Sequence, residues 1–69
     1  MISDRELAAA LLHVKHAEGL LRDELKTDDL TERDSAVVAL RLVVPLGRSL
    51  QTWISLRALR QQLASGAIQ

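Results

Sequence analysis

Residues 34–64 carry two separate apolar stripes with helical spacing, and this duplication constrains the fold more than any other feature. The first seam consists of Ala36, Leu40, Val43, Gly47, Leu50 and Ile54, and it turns polar at Arg57 and Gln61. The second seam consists of Val38, Leu42, Pro45, Ser49, Thr52, Leu56, Leu59 and Leu63. Each has the spacing of a helix face that packs on another helix. A single hairpin satisfies one such face, so the other predicts a second chain.

The composition favours an all-α fold in a single domain over residues 1–69. Apolar residues make up 48% of the chain, yet Trp53 is the one aromatic residue, so the core must be built from Leu, Val, Ile and Ala. Three Gly and one Pro are too few turn formers for a multi-stranded sheet. Because the chain has no Cys, neither a disulfide framework nor a thiolate metal site can compensate for a small core.

Two start signals divide the chain into an antiparallel helical hairpin. Ser3 and Glu6 fit a capping box, and the apolar spacing that follows predicts helix one over about residues 4–25. The polar segment over about residues 26–31 is the expected connection. Thr31 is the expected cap of helix two, which should run over about residues 32–64.

Pro45 lies in the middle of the predicted second helix. It removes one backbone hydrogen bond, and its ring crowds the carbonyl of Arg41. Val43 and Val44 supply no capping side chain for a new helix start. We therefore expect a long, kinked second helix, with three helices and a break at Pro45 as the alternative.

The two helix lengths predict an overhang. About 22 and 33 residues correspond to roughly 33 and 50 Å, so helix one should cover only about residues 32–53 of helix two. The last three turns, with Ile54, Leu56, Leu59 and Leu63, should then lie beyond helix one. A soluble protein rarely leaves such a patch uncovered. The overhang predicts a homodimer, arranged as a four-helix bundle, or a target protein, or both.

The formal net charge of zero conceals two halves of opposite charge. Residues 1–34 contain all nine acids and five bases, net −4, whereas residues 35–69 contain four arginines and no acid, net +4. An antiparallel hairpin would place these halves side by side, where they attract weakly. The alternative function of the basic half is to bind an acidic partner or nucleic acid.

The candidate binding residues follow from the seams and the overhang. The predicted partner-binding residues are Trp53, Leu56, Arg57, Leu59, Arg60 and Leu63. The predicted dimer residues, on the first half of the second seam, are Val38, Leu42 and Pro45. Trp53 is either the largest core side chain or an interface anchor, since Trp is enriched at binding hot spots.

The remaining polar residues indicate no catalytic, metal or cofactor site. His13 and His16 have no third ligand nearby in the sequence, whereas metal sites need three or four. Glu18 lies within the apolar stripe of helix one and is expected to pair with Arg48 or Arg57. No nucleophile with its base and no glycine-rich phosphate loop is found, so neither enzyme activity nor a small-molecule substrate is expected.

These features predict a small interaction module that binds itself and another protein, and regulates, inhibits or chaperones that protein by covering a functional surface. The alternatives are a nucleic-acid-binding hairpin dimer that uses Arg41, Arg48, Arg57 and Arg60, and a structural subunit of a larger assembly. Seven Arg against two Lys are typical of a GC-rich bacterial or phage genome. The most apolar window, Ala36 to Leu46, is too short to span a bilayer, and a cytoplasmic location is expected.

Overall fold

The computed structural model describes residues 1–66, which form two antiparallel α-helices. Helix α1 spans Asp4–Glu24 and helix α2 spans Leu30–Gly66. The molecule is a rod with extents of 59 × 18 × 16 Å. The predicted all-α hairpin is therefore confirmed at the level of two helices and their order. Neither helix, within the described residues, is long and apolar enough to cross a membrane.

Helix α1 begins with the predicted capping box. The Glu6 amide donates to Ser3 Oγ at 3.1 Å, and the Ser3 amide donates to Glu6 Oε1 at 3.0 Å. Two donors that have no partner within the helix are thereby satisfied. The hydrogen bond from the Ser3 amide, and after it that from the Ser3 side chain, favour the charged carboxylate of Glu6 and lower its pKa below the usual value. The helix ends at Glu24, one residue before the predicted position.

Helix α2 is capped by Asp29, so the prediction of Thr31 as its cap was wrong. Asp29 Oδ1 accepts from the amides of Thr31 at 3.0 Å and Glu32 at 3.2 Å. Asp is at least as effective a cap as Thr. With Asp29 as the cap, α2 begins at Leu30, two residues before the predicted start. The Arg33 guanidinium donates twice to the carbonyl of Thr27, at 2.8 and 3.2 Å, and thereby ties the connection to α2.

Helix α2 continues through Pro45 without interruption, so the alternative with three helices was wrong. A proline in a helix interior removes one amide donor and leaves the remaining hydrogen bonds available. A break would have required new caps on both sides, and Val43 and Val44 offer none. One continuous helix is the arrangement that leaves fewer backbone groups without partners.

The first seam of α2 packs against α1, as the spacing predicted. Among residues 1–66, the two buried apolar side chains are Leu7 of α1 and Ala36 of α2. Gly47 faces Val14, and a β-carbon at Gly47 would lie 3.6 Å from Val14 Cγ1, an ordinary van der Waals distance. The remaining first-seam residues are half-buried: Leu40, Val43, Leu50 and Ile54. The core is a single narrow seam.

The predicted coverage of α2 by α1 was wrong, because the helices are offset along their axes. Asp4, at the start of α1, lies beside Arg57 and Gln61, so α1 extends well past residue 53 of α2. At the other end, Leu25 shares a cavity with Val37 and Leu40. The first turns of α2 therefore lie alongside the connection, and at the far end the residues after Arg57, about two and a half turns, extend beyond the start of α1.

Candidate protein-interaction surface

The second seam lies on the face of α2 that points away from α1. All eight of its residues are exposed, whereas the first seam on the opposite face contacts α1. The exposed fraction reaches 73% for Leu42 and 60% for Leu63. Single exposed leucines are common, whereas rows of exposed apolar side chains on one face of a monomer are typical of interaction surfaces.

The predicted dimer residues and the leucines of the predicted partner-binding group lie on this one face, whereas Arg57 of that group does not. Val38, Leu42 and Pro45 occupy its first half, and Leu56, Leu59 and Leu63 occupy its second half. The polar pair Ser49 and Thr52 separates the two halves. Leu56 is exposed because it points away from α1, which begins beside Arg57, whereas Leu59 and Leu63 point in the same direction and also lie beyond the start of α1. From Val38 to Leu56, the exposure of the stripe therefore does not depend on an overhang.

Two large apolar side chains flank the second seam on one side. Trp53 is 42% exposed and Leu46 is 49% exposed, so both are positioned at its edge. Leu46 was missed from the sequence because it belongs to neither seam. It lies seven residues before Trp53, and a spacing of seven places two residues on the same side of a helix. From that spacing, the position of Leu46 beside Trp53 could have been predicted.

Arg57 is held inside the hairpin and is only indirectly part of the exposed surface. Its Nη1 donates to the carbonyl of Ile2 at 2.9 Å and to Asp4 Oδ1 at 3.0 Å, and its side chain is 16% exposed. Its guanidinium carbon lies 5.6 Å from the centre of the Trp53 ring, within the range of a cation–π interaction. Arg57 therefore supports Trp53 and anchors the start of α1.

The carboxyl group of Asp4 is the acceptor that holds this anchor. The hydrogen bond from Arg57 and that from Gln61, whose Nε2 lies 3.1 Å from Asp4 Oδ2, lower the pKa of Asp4 below its usual value. Both bonds favour the charged carboxylate. The first seam ends with polar residues because they bind this carboxylate.

Three arginines are exposed beside the second seam: Arg41, Arg48 and Arg60. No acid follows Asp34 in the sequence, so the stripe has a basic border over most of its length. Of the eight exposed acids, two lie at the start of α1 (Asp4 and Glu6), and six lie at or near the connection: Asp23, Glu24, Asp28, Asp29, Glu32 and Asp34. The rod therefore has an acidic end at the connection and a basic stretch along α2.

Glu18 pairs within α1, and the predicted pairing with Arg48 or Arg57 was wrong. Arg22 Nε lies 3.1 Å from Glu18 Oε2, and both side chains remain substantially exposed. A pair four residues apart on one helix brings the charges together without fixing a second helix. Arg57 is bound to Asp4 instead, more than three helical turns away along α1.

The outer face of α1 has a smaller apolar surface. Leu12 is 69% exposed and Leu20 is 58% exposed. His13 and His16 are exposed on the same helix. Within residues 1–66, no group of three or more His, Cys, Asp or Glu is placed to hold a metal ion.

The surface of the hairpin is larger than that of a typical monomer of this mass. A compact protein of 7.6 kDa has roughly 4,300 Å² of accessible surface, whereas this chain has 5580 Å². The difference of about 1,300 Å² exceeds the ~800 Å² that each partner contributes to a standard interface. The hairpin has enough surplus surface for an interface.

Comparison with known proteins finds no matching family model, no matching curated protein and no matching solved structure.

Proposed function

We propose that this protein is a small non-enzymatic interaction module that uses the second seam of α2 to bind another polypeptide chain. It acts by covering a surface that the partner protein needs, and thereby regulates, inhibits or chaperones that protein. The exposure of the entire second seam, from Val38 to Leu63, is the observation that carries this proposal.

Burial of the exposed apolar side chains provides the driving force for binding. Full burial of one such side chain contributes about 1.5–3 kcal/mol, and these are already about half-buried, so each adds roughly 1 kcal/mol on binding. The contributing residues are Val38, Leu42, Leu46, Trp53, Leu56, Leu59 and Leu63. Their sum is comparable to the ~4–15 kcal/mol that association costs, so polar contacts at the border must also contribute. Arg41, Arg48 and Arg60 are placed to supply them.

Homodimer formation is the second part of the proposal. Over residues 1–66 the hairpin has two buried side chains and thus little core, and small domains of this kind are commonly stabilised by oligomerisation. The sequence predicts a four-helix bundle for this dimer, with helix two kinked at Pro45. The kink would adjust the curvature of the second seam to the surface that it meets.

Nucleic-acid binding is the second candidate function, and the exposed arginines beside the second seam favour it. These arginines flank a row of leucines that has no role in contacting phosphates, and Trp53 is the one aromatic available for base stacking. A protein partner with an acidic border uses both the leucines and the arginines. A structural subunit of a larger assembly would use the same surface, but it would not release its partner.

The test is affinity capture from the native host with three forms of the chain. The variant Leu56→Asp/Leu59→Asp places two charges on the second seam. The control Leu12→Asp/Leu20→Asp places two charges on exposed leucines of α1. We expect one protein to be captured by the wild type and the control, and lost with the second-seam variant. Equal capture by all three forms, or capture of nucleic acid that is lost at moderate salt, would contradict the proposal.

A further inference from the structure

The second seam is self-complementary along its length. Four positions on each side of a point between Leu50 and Gln51 have matching character. Counting outward from that point, the matched pairs are Ser49 with Thr52, Pro45 with Leu56, Leu42 with Leu59, and Val38 with Leu63. The two residue numbers of each pair have the same sum, 101. Polar residues match polar residues, and apolar residues match apolar residues.

This symmetry fits an antiparallel pair of α2 helices. When two antiparallel helices pack, residue i of one lies opposite residue j of the other, with i + j constant along the interface. A two-fold interface repeats each such contact, since residue i contacts j and residue j contacts i. The seam alternates steps of four and three residues without a break, which is the spacing of coiled-coil packing. One register therefore pairs all eight residues of the seam.

The same register avoids like charges at the borders of the seam. Residues that flank the seam meet only those on the same side of the partner's seam, so their numbers sum to 103 on one side and to 99 on the other, and Arg41 and Arg60 lie on opposite sides. On the first side Arg41 comes opposite the partner's Gln62, and Arg48 comes opposite the partner's Ser55. On the other side, Leu46 meets the partner's Trp53. Arg60 comes opposite the partner's Ala39. The register thus buries the flanking apolar residues against each other and leaves each arginine opposite a neutral side chain.

The charge distribution along the rod favours the antiparallel orientation over the parallel one. Parallel pairing would bring the acidic ends of both copies together, with Glu32 and Asp34 among them. Antiparallel pairing instead places each acidic end near the arginine-bearing end of the other copy, where Arg60 is exposed. Opposite charges across an interface steer association and disfavour the wrong orientation.

We propose that the second seam binds a second copy of this chain, with the two α2 helices antiparallel and their two-fold axis between residues 50 and 51. Because α1 packs on the opposite face of α2, the four helices lie side by side in one layer, in the order α1, α2, α2 of the partner, α1 of the partner. This arrangement differs from a four-helix bundle around a common axis. The inference deepens the proposed function, since it names one chain that occupies the proposed binding surface.

Spin-label distances measured in solution test the orientation and the register. The chain has no cysteine, so one introduced cysteine carries a unique label. Gln51→Cys and Ala64→Cys both place the label at an exposed position outside the two seams. In the proposed register the two Gln51→Cys labels are displaced along the axis by only about 1.5 Å, whereas the two Ala64→Cys labels are displaced by about 40 Å.

The proposal expects a short distance, within roughly 20 Å, for Gln51→Cys and a distance of about 40 Å for Ala64→Cys. Short distances for both labels would show parallel pairing and overturn the proposal. The absence of any intermolecular distance at concentrations up to the millimolar range would overturn it as well. Circular dichroism of each labelled chain confirms that it remains helical.

A complementary charge pair tests the register independently. Leu42→Glu and Leu59→Lys, made singly, each place a charge opposite a leucine of the other copy and should weaken the dimer. In the double variant Leu42→Glu/Leu59→Lys, the two charges come opposite each other at both ends of the seam. We expect its dimer to be at least tenfold tighter than that of either single variant. A double variant as weak as the singles would contradict the register.

These experiments fail separately from the proposed function. They use purified protein, so they do not depend on a target. A chain that remains monomeric but captures a protein through the second seam would overturn this inference and leave the proposed function standing. A dimer that has the expected distances but captures no protein would support this inference and contradict the proposed function.

Discussion

Asp4 and Arg57 are separated by 53 residues in the sequence and lie 3.0 Å apart, where they join the start of α1 to the last third of α2. Arg57 also donates to the carbonyl of Ile2, and Gln61 donates to the same carboxylate. The connection closes one end of the hairpin, and this group of polar contacts closes the other. The second seam remains exposed between the two closed ends, on the opposite side of α2.

The stability of the hairpin should fall in acid because two carboxylates are favoured in the folded state. The pKa values of Asp4 and Glu6 are both lowered on folding, so their contribution is present above their usual pKa values. It is lost as the pH falls below ~4 and through the lowered values. We expect the urea midpoint to decrease over this range, and to decrease less steeply in Asp4→Asn/Glu6→Gln. Parallel profiles for the two chains would contradict this assignment.

The core should depend strongly on Leu7 and hardly at all on Leu12. Leu7 is 1% exposed and Leu12, on the same helix, is 69% exposed. Leu7→Ala removes buried methyl groups and leaves a cavity, so a loss of about 2–5 kcal/mol in the free energy of unfolding is expected. Leu12→Ala should change it by less than about 0.5 kcal/mol. Urea unfolding of both variants measures the difference, and similar losses would mean that helix one packs through another face.

Gly19 should be replaceable by Ala with a gain in stability. Apart from its chain neighbours and the adjacent backbone of α1, no atom lies within 4 Å of the position that a β-carbon would occupy, so the methyl group meets open space. Ala is favoured over Gly in a helix interior by about 1 kcal/mol. Thermal unfolding of Gly19→Ala at matched concentration should show the increase. A decrease would indicate that a second chain approaches α1 closely at this position.

The unfolding temperature should rise with protein concentration. A folded dimer is favoured by mass action, whereas a monomer unfolds at a temperature independent of its concentration. Calorimetry over a hundredfold range of concentration tests this directly. We expect a steady increase for the wild type and a constant, lower value for Leu56→Asp/Leu59→Asp. A constant value for the wild type would mean that the hairpin is stable alone.

The sequence predicted those features that depend on local spacing. The capping box at Ser3 and Glu6 involves residues three apart, and it was confirmed. The division of α2 into an inward seam and an exposed seam follows from helical periodicity, and the structure has the same division. These features are fixed within a few helical turns, so a single sequence is enough to read them.

The errors concern relationships between distant parts of the chain. The axial offset of the helices depends on the path of the connection, which is set by Asp29 as the cap and by the bond from Arg33 to Thr27. That offset cannot be calculated from the helix lengths alone. The ion-pair partners of Glu18 and Arg57 were also predicted incorrectly. Each side chain has several opposite charges within reach, and the axial offset of the helices determines which of them it binds. These errors did not affect the prediction of the second seam, because the side of α2 on which it lies depends only on helical periodicity.

Sedimentation equilibrium of the purified chain tests the central claim most directly, namely that the second seam of α2 is covered by another chain. We expect the wild type and Leu12→Asp/Leu20→Asp to approach twice the 7.6 kDa mass as the concentration rises, and Leu56→Asp/Leu59→Asp to remain at 7.6 kDa. A wild-type mass of 7.6 kDa at every concentration, unchanged in both variants, would contradict the claim for self-association.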